Sequence, residues 1–299
     1  MFTFKNMSML KHPEKFYLDL LQHTLFAGKR EVRRNGGVIT HIGGALRFDL
    51  NNKEMPILTT KKMAWKSCLK ELLWFINGDT DNRTLQNQGV KIWDKNASKS
   101  FLESRGLRYE ENDLGPVYGH QWRHFNATYY TSKFNYNGMG VDQLNILVNK
   151  LKDEEERTSR RLLMSAWNPC QINEMALPPC HVMSQYHVTE GNKLSCTVYQ
   201  RSADLGLGLP FNISSYAFLT HLLAHHCNLE ANELIMFIGN CHIYDDHEEA
   251  LKKQIDREPL LFPKIEICES REKMEDYKFT DFKIHNYESY DKINMDMRE

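Results

Sequence analysis

The chain has 299 residues, with 38 Lys and Arg against 39 Asp and Glu, 41% hydrophobic residues and seven cysteines. This ordinary mixture excludes a disordered, collagen-like or membrane-spanning chain. A net charge of −1 excludes a globally basic nucleic-acid binder, though not a local basic pocket.

In chain order, the N-terminal MFTFKNMSMLKHPEKF lacks a signal-peptide pattern, so a reducing, cytoplasmic setting is expected. Pro13 opens a helical pattern whose apolar stripe is Phe16, Tyr17, Leu20, Leu21 and Leu25, with Gly28 as its stop. The glycine-rich stretch Gly36 to Gly44 reads as a turn or strand pair, and Leu46, Phe48 and Leu50 alternate with Arg47 and Asp49 as in a half-buried strand. A second helix is predicted from Trp65 to Ile76, stopped by Gly78. Residues 94–116 read as a loop with short helical pieces, and Asp142 starts a helix through Leu151. The run KDEEERTSRR that follows reads as a solvated loop. From Leu162 the chain is strand-rich. PFNISSYAFLTHLLAHHCNL is a loop feeding a buried helix, and the tail after Pro263 alternates like exposed strands. Strands and helices interleave without βαβα rhythm, which predicts a single α+β domain over 1–299 with a mixed sheet.

Several side chains carry possible chemistry. Pro178-Pro179 gives Cys180 a rigid extended lead-in, so its thiol is a candidate nucleophile against the plain reading of a buried Cys beside a strand. Arg33-Arg34, Arg160-Arg161 and Gln200-Arg201-Ser202 offer guanidinium forks and a hydroxyl suited to a phosphate. Asn212, after the glycines that follow Asp204, could read a base edge or cap the next helix. His221 and His225, spaced i, i+4, form a possible metal pair but have no HExxH or positioned carboxylate beside them, so core histidines are the plainer reading. His242 and Tyr244 share a strand face, and Glu71 is a carboxylate in an apolar helix where burial would raise its pKa. Trp93 and Trp122 offer flat aromatic surfaces, with core packing as the default.

Together these residues resemble the thymidylate synthase family. The likeness runs from about Tyr17 to the last residues. It passes through PILTTK (56–61), ELLWF (71–75), DLGPVYG (113–119), QWR (121–123), the Pro-Pro-Cys-His segment, QRSADLGLGLPFNISSYA and His242-Ile243-Tyr244. It implies a homodimer with stacked sheets and reductive methylation of dUMP, with 5,10-methylenetetrahydrofolate as cosubstrate and no metal. It places Cys180 at C6 of the pyrimidine. Arg33, Arg201 and Ser202 fall on the phosphate, and Arg160 and Arg161 reach across to the other subunit's phosphate. Gln200 and His181 line the site, Asn212 meets O4 and N3, and His242 and Tyr244 meet the ribose. Glu71 and Tyr118 serve proton transfer at C5, and Asp204, Trp93 and Glu71 face the folate. No membrane or nucleic acid is required, and the compartment implied is the cytoplasm, with the nucleus open in a eukaryote.

Three places depart from the family pattern. The phosphate loop reads Arg33-Arg34-Asn35-Gly36-Gly37, which makes Arg34 a rival to Arg33. Asn240 stands where an Asp is usual, and the chain ends Met297-Arg298-Glu299 rather than in a small apolar residue. A dCMP/dUMP hydroxymethylase of the same superfamily is the nearest alternative, and a non-catalytic relative that only binds nucleotide or RNA is another. Asn212 favours uracil over cytosine, whose amino group and unprotonated N3 suit a carboxylate.

Overall fold

The computed structural model describes residues 11–33 and 36–298; at Arg33 it describes the backbone only. The first helix, α1 (Glu14–Ala27), begins behind Pro13 and buries Tyr17, Leu18, Leu21 and Leu25. Gly28 ends it in an extended conformation and leads straight into β1 (Lys29–Arg33). The stretch expected to be a turn or strand pair is instead one long strand, β2 (Gly36–Asp49). It continues through the predicted alternation, with Leu46 and Phe48 facing the core. Gly43, with a positive φ of 85°, drops out of the pairing with β6 while the register is the same on either side of it, so glycines that read as turn signals sit inside one strand.

Helix α2 (Trp65–Ile76) has the predicted bounds. Short helices α3 (Asn82–Gln86) and α4 (Lys99–Ser104) follow, then α5 (Tyr118–His124), which the pattern did not announce. Asp142 caps α6 (Gln143–Lys152) by accepting from Asn145 N–H at 2.9 Å. The charged run beyond it is exposed turn. Then come β3 (Leu163–Ser165), β4 (His181–Thr189), β5 (Lys193–Asp204), α7 (Gly208–His226) and β6 (Glu230–Tyr244). The chain closes with α8 (Glu248–Ile255), β7 (Lys264–Ile267) and β8 (Phe282–His285). The last two strands form a small separate sheet whose Ile265 and Phe282 are buried, so the tail is less exposed than its alternation implied.

The main sheet is mixed, in the order β1-β2-β6-β5-β4-β3, and only β5–β6 is parallel. Parallel neighbours need a crossover, and α7 supplies it. Nearly every α7 side chain is buried, as expected of a helix apolar all round. Its Pro210 lies in the first turn, where no intrahelical N–H is lost. Most buried side chains, from Tyr17 to Phe282, join one core, and the architecture is α+β. The far face of the sheet stays open. Met183, Tyr199 and Phe237 pair in register across β4, β5 and β6 and are 37%, 43% and 48% exposed. Among the described residues, no helix is long and apolar enough to cross a membrane.

Candidate active site

Cys180 stands just before β4, half-buried. Its backbone is clamped from two sides. Its N–H donates to the Tyr118 hydroxyl (2.8 Å) and its carbonyl accepts from Arg201 N–H (2.8 Å). The Arg201 guanidinium wraps the same turn. Nε donates to the Pro179 carbonyl (2.7 Å) and Nη2 to the Pro178 carbonyl (3.1 Å), with Cys180 Sγ 4.0 Å from Nη2. The proline lead-in thus fixes two carbonyls that hold a cation beside the thiol. Burial pushes the Cys180 thiol up, and Arg201 pulls it back down. Trp167 lies 5.5 Å from the Arg201 carbon and adds a cation–π contact.

A ladder of rings leads from this thiol to Glu71. His181 stacks on Tyr118 with centroids 4.1 Å apart, and Tyr118 touches Phe75 (4.8 Å) and Trp93 (6.4 Å). Trp93 Nε1 donates to Glu71 Oε1 at 2.7 Å. Glu71 is only 8% exposed, and burial lifts its carboxyl to about 7 against that hydrogen bond. This is a useful value for proton transfer near neutrality. Burial also lowers His181 to about 3, so its ring is neutral; its Nδ1 lies 2.9 Å from the Tyr216 hydroxyl.

The end of β5 presents a row of polar side chains, because alternate residues share one strand face. Gln200 pairs with Ile238, Ser202 with Asn240, and Asp204 with His242 on β6. Gln200 Nε2 donates to Asn212 Oδ1 at 2.9 Å. Asn212 lies inside α7, which starts four residues earlier, so the helix-cap reading of this residue is corrected. Asn240 Oδ1 sits 3.2 Å from His242 Nδ1; an amide oxygen only accepts, so Nδ1 carries the proton. The His242 and Tyr244 rings meet edge to face at 5.3 Å. Asp204 Oδ1 accepts from Gly206 N–H at 2.8 Å.

The sequence did not single out Lys61 or Glu14. Lys61 is 3% exposed and donates to the Gly206 carbonyl. Burial lowers its ammonium to about 8, against the pull of Asp204 and Glu14. Glu14, fully buried, accepts from the N–H groups of Thr59 (2.9 Å) and Thr60 (2.8 Å) and from both hydroxyls (2.7 and 2.6 Å). Four donors on one carboxylate make a buried charge tolerable. They also fix the turn that carries Lys61. A Glu at the start of a helix gives no hint of burial, since it reads as an ordinary first-turn acid.

Other predicted residues stay apart. Arg160 and Arg161 are exposed before β3, and neither side chain hydrogen-bonds Cys180, Arg201 or Ser202 within this chain. The Arg33 side chain, Arg34 and Glu299 lie outside the described residues. His221 is buried and directs Nε2 to the Glu54 carbonyl (2.7 Å), as a core histidine does, whereas His225 is only half-buried and directs Nε2 to the Glu269 carbonyl (3.0 Å). Among the described residues, no three His, Cys, Asp or Glu side chains gather to hold a metal. Trp122 is core, and its neighbour Arg123 pairs with Asp142 (3.0 Å).

Residues 15–299 match the family model described as thymidylate synthase. The chain is 47% identical over 288 residues to the thymidylate synthase of Homo sapiens, covering 96% of this chain and 91% of that protein. It is 45% identical over 290 residues to "Thymidylate synthase 1/2" of Encephalitozoon cuniculi, covering 96% and 98%. It is 46% identical to the bifunctional dihydrofolate reductase-thymidylate synthase of Plasmodium berghei, covering 96% of this chain and 48% of that protein. The chain therefore spans about half the length of this bifunctional relative.

Proposed function

The chain belongs to the thymidylate synthase family, and from that premise we propose which of its residues carry the reductive methylation of dUMP to dTMP. The reaction consumes 5,10-methylenetetrahydrofolate, which supplies both the carbon and the hydride and leaves as dihydrofolate. The observation that carries the assignment is the Cys180 thiol held on a two-proline turn with the Arg201 guanidinium 4.0 Å away.

C6 of uracil is a Michaelis acceptor, and a thiolate is the suitable soft nucleophile. Sulfur bonds to C6 while the C5–C6 electrons move toward O4. Asn212 donates to O4 as that charge develops. Glu71, with a carboxyl near 7, exchanges protons with the pyrimidine through water, and Tyr118 takes the C5 proton's side of the site. His181 stays neutral beside them. Arg201 and Ser202, with Arg33, hold the phosphate, which positions the ring from a distance. His242 and Tyr244 receive the ribose. Asp204 fits the pterin, since its Oδ1 is fixed by Gly206 and a buried Lys61 lies nearby; Trp93 flanks the folate.

The enzyme works as a homodimer with residues 1–299 as one domain in each subunit. The open row of Met183, Tyr199 and Phe237 supports back-to-back sheets, because adjoining apolar side chains left exposed on one sheet face suit a symmetric interface. Arg160 and Arg161 then complete the phosphate site across the dimer. Seven free cysteines support a reducing, cytoplasmic location. A dCMP hydroxymethylase is not favoured by the relatives or by Asn212. Incubation with 5-fluoro-dUMP and methylenetetrahydrofolate tests the assignment. A covalent adduct on the Cys180 peptide, absent in Cys180→Ser, is expected. No adduct in the unmodified chain would support a protein that only binds nucleotide.

A further inference from the structure

Gln200 is 1% exposed, and its Nε2 makes two hydrogen bonds, to the Ser202 carbonyl oxygen (3.1 Å) and to Asn212 Oδ1 (2.9 Å). A backbone carbonyl can only accept. The nitrogen end of the Gln200 amide must therefore face Ser202, and its second N–H must find another acceptor. Asn212 meets that need by turning Oδ1 toward Gln200, which leaves Nδ2 pointing away. One main-chain oxygen thus fixes the order of atoms in two side-chain amides. Gln200 Oε1 is buried with no hydrogen-bond partner among the described residues. An orphan acceptor costs stability, yet turning the amide over would set Oε1 against the Ser202 oxygen.

We infer that Gln200 is a positioning residue that holds Asn212 as a donor, so that the site selects a pyrimidine with an oxygen at C4 against one with an amino group there. The inference rests on the uracil-nucleotide reading above. O4 of uracil accepts, whereas the 4-amino group of cytosine donates. If Asn212 were free to turn, its oxygen could greet the amino group as readily as its nitrogen greets O4. Pinned by Gln200, it meets cytosine donor to donor, and both groups lose their partners. Gln200 therefore sets the discrimination through the Asn212 amide that it holds.

The test compares binding of dUMP, dCMP and the deoxynucleotide of pyrimidin-2-one to the unmodified full chain. The last two share an unprotonated N3 and differ only at C4, which carries hydrogen in the pyrimidinone. A pinned donor makes dCMP bind about 10-fold more weakly than the pyrimidinone, the usual scale for one mismatched polar contact. In Gln200→Leu, Asn212 is released, and dCMP binds at least as tightly as the pyrimidinone. A general packing defect would weaken all three ligands and leave their order alone. If the unmodified chain binds dCMP as well as the pyrimidinone, or if the leucine variant keeps the original order, the inference falls. If the unmodified chain does not bind dUMP at all, the uracil reading falls first and takes this inference with it.

Discussion

Replacing Glu71 by Gln separates the cost of burying a carboxyl from its use. Glutamine keeps an oxygen for the Trp93 indole N–H, now 2.7 Å from Glu71 Oε1, and nearly the same volume, but it cannot ionise. Burial raises the Glu71 carboxyl from 4.5 to about 7. At ~1.4 kcal/mol per pH unit, that step is worth about 3 kcal/mol. The sign follows from which state holds the proton more tightly. The folded chain does, so this group's contribution is whole below 4.5 and is lost as pH rises through about 7. The variant has no such loss. Its stability advantage over the parent should therefore widen by about 2 kcal/mol between about pH 5.5 and about pH 8.5. Urea unfolding at one protein concentration, followed by tryptophan fluorescence, reads this directly. Turnover should fall at least about 100-fold, the scale of one acid/base group. A stability difference that does not change with pH, or a variant less stable throughout, would refute the claim that this carboxyl is destabilised by burial.

Two further outcomes concern the C-terminal end of the site. A Cβ on Gly206 would lie 3.2 Å from Asp204 Oδ1, His247 Nδ1 and Met295 Sδ alike. Gly206→Ala should therefore raise KM for the folate severalfold while KM for dUMP moves less, in initial-rate measurements. Arg298→Ala, which breaks the surface pair with Asp246 (2.6 Å), should cost less than ~1 kcal/mol in urea unfolding, because both partners are exposed. A loss above about 2 kcal/mol would refute this reading of the pair.

What the sequence could say depended on range. Helix α2 was legible to the residue because a sustained amphipathic pattern with a following glycine is a local signal. The first half of β2 reads only as a turn or a strand pair, because glycine is a turn signal that here lies inside one long strand. Asn212 looked like a cap because Pro210 and Phe211 obscured a helix already begun at Gly208. The residue types at the site were visible, and the family likeness assigned them. Their meeting was not visible. Arg201 reaches Cys180 only through the β4–β5 pairing, and Glu14 reaches Thr59 and Thr60 only through tertiary packing. Nothing in the periodicity of one segment encodes which distant segment satisfies its charge.

The place of β6 in the sheet bears on how such a chain is made. Its antiparallel pairing with β2 sets Val38 against Tyr244 and Asp49 against Glu233. During synthesis, β2 leaves the ribosome long before its neighbour exists, and the slot between β2 and β5 stays empty until Glu230–Tyr244 has been made. Contacts so far apart in sequence form slowly, and unpaired strand edges invite association in the interval. A chain stopped before Glu230 would already contain Cys180, Arg201 and Asn212, yet lack the strand that joins the two halves of the sheet. Early termination should therefore yield an aggregating fragment with no partial activity, and chaperone demand should peak just before Glu230–Tyr244 is made.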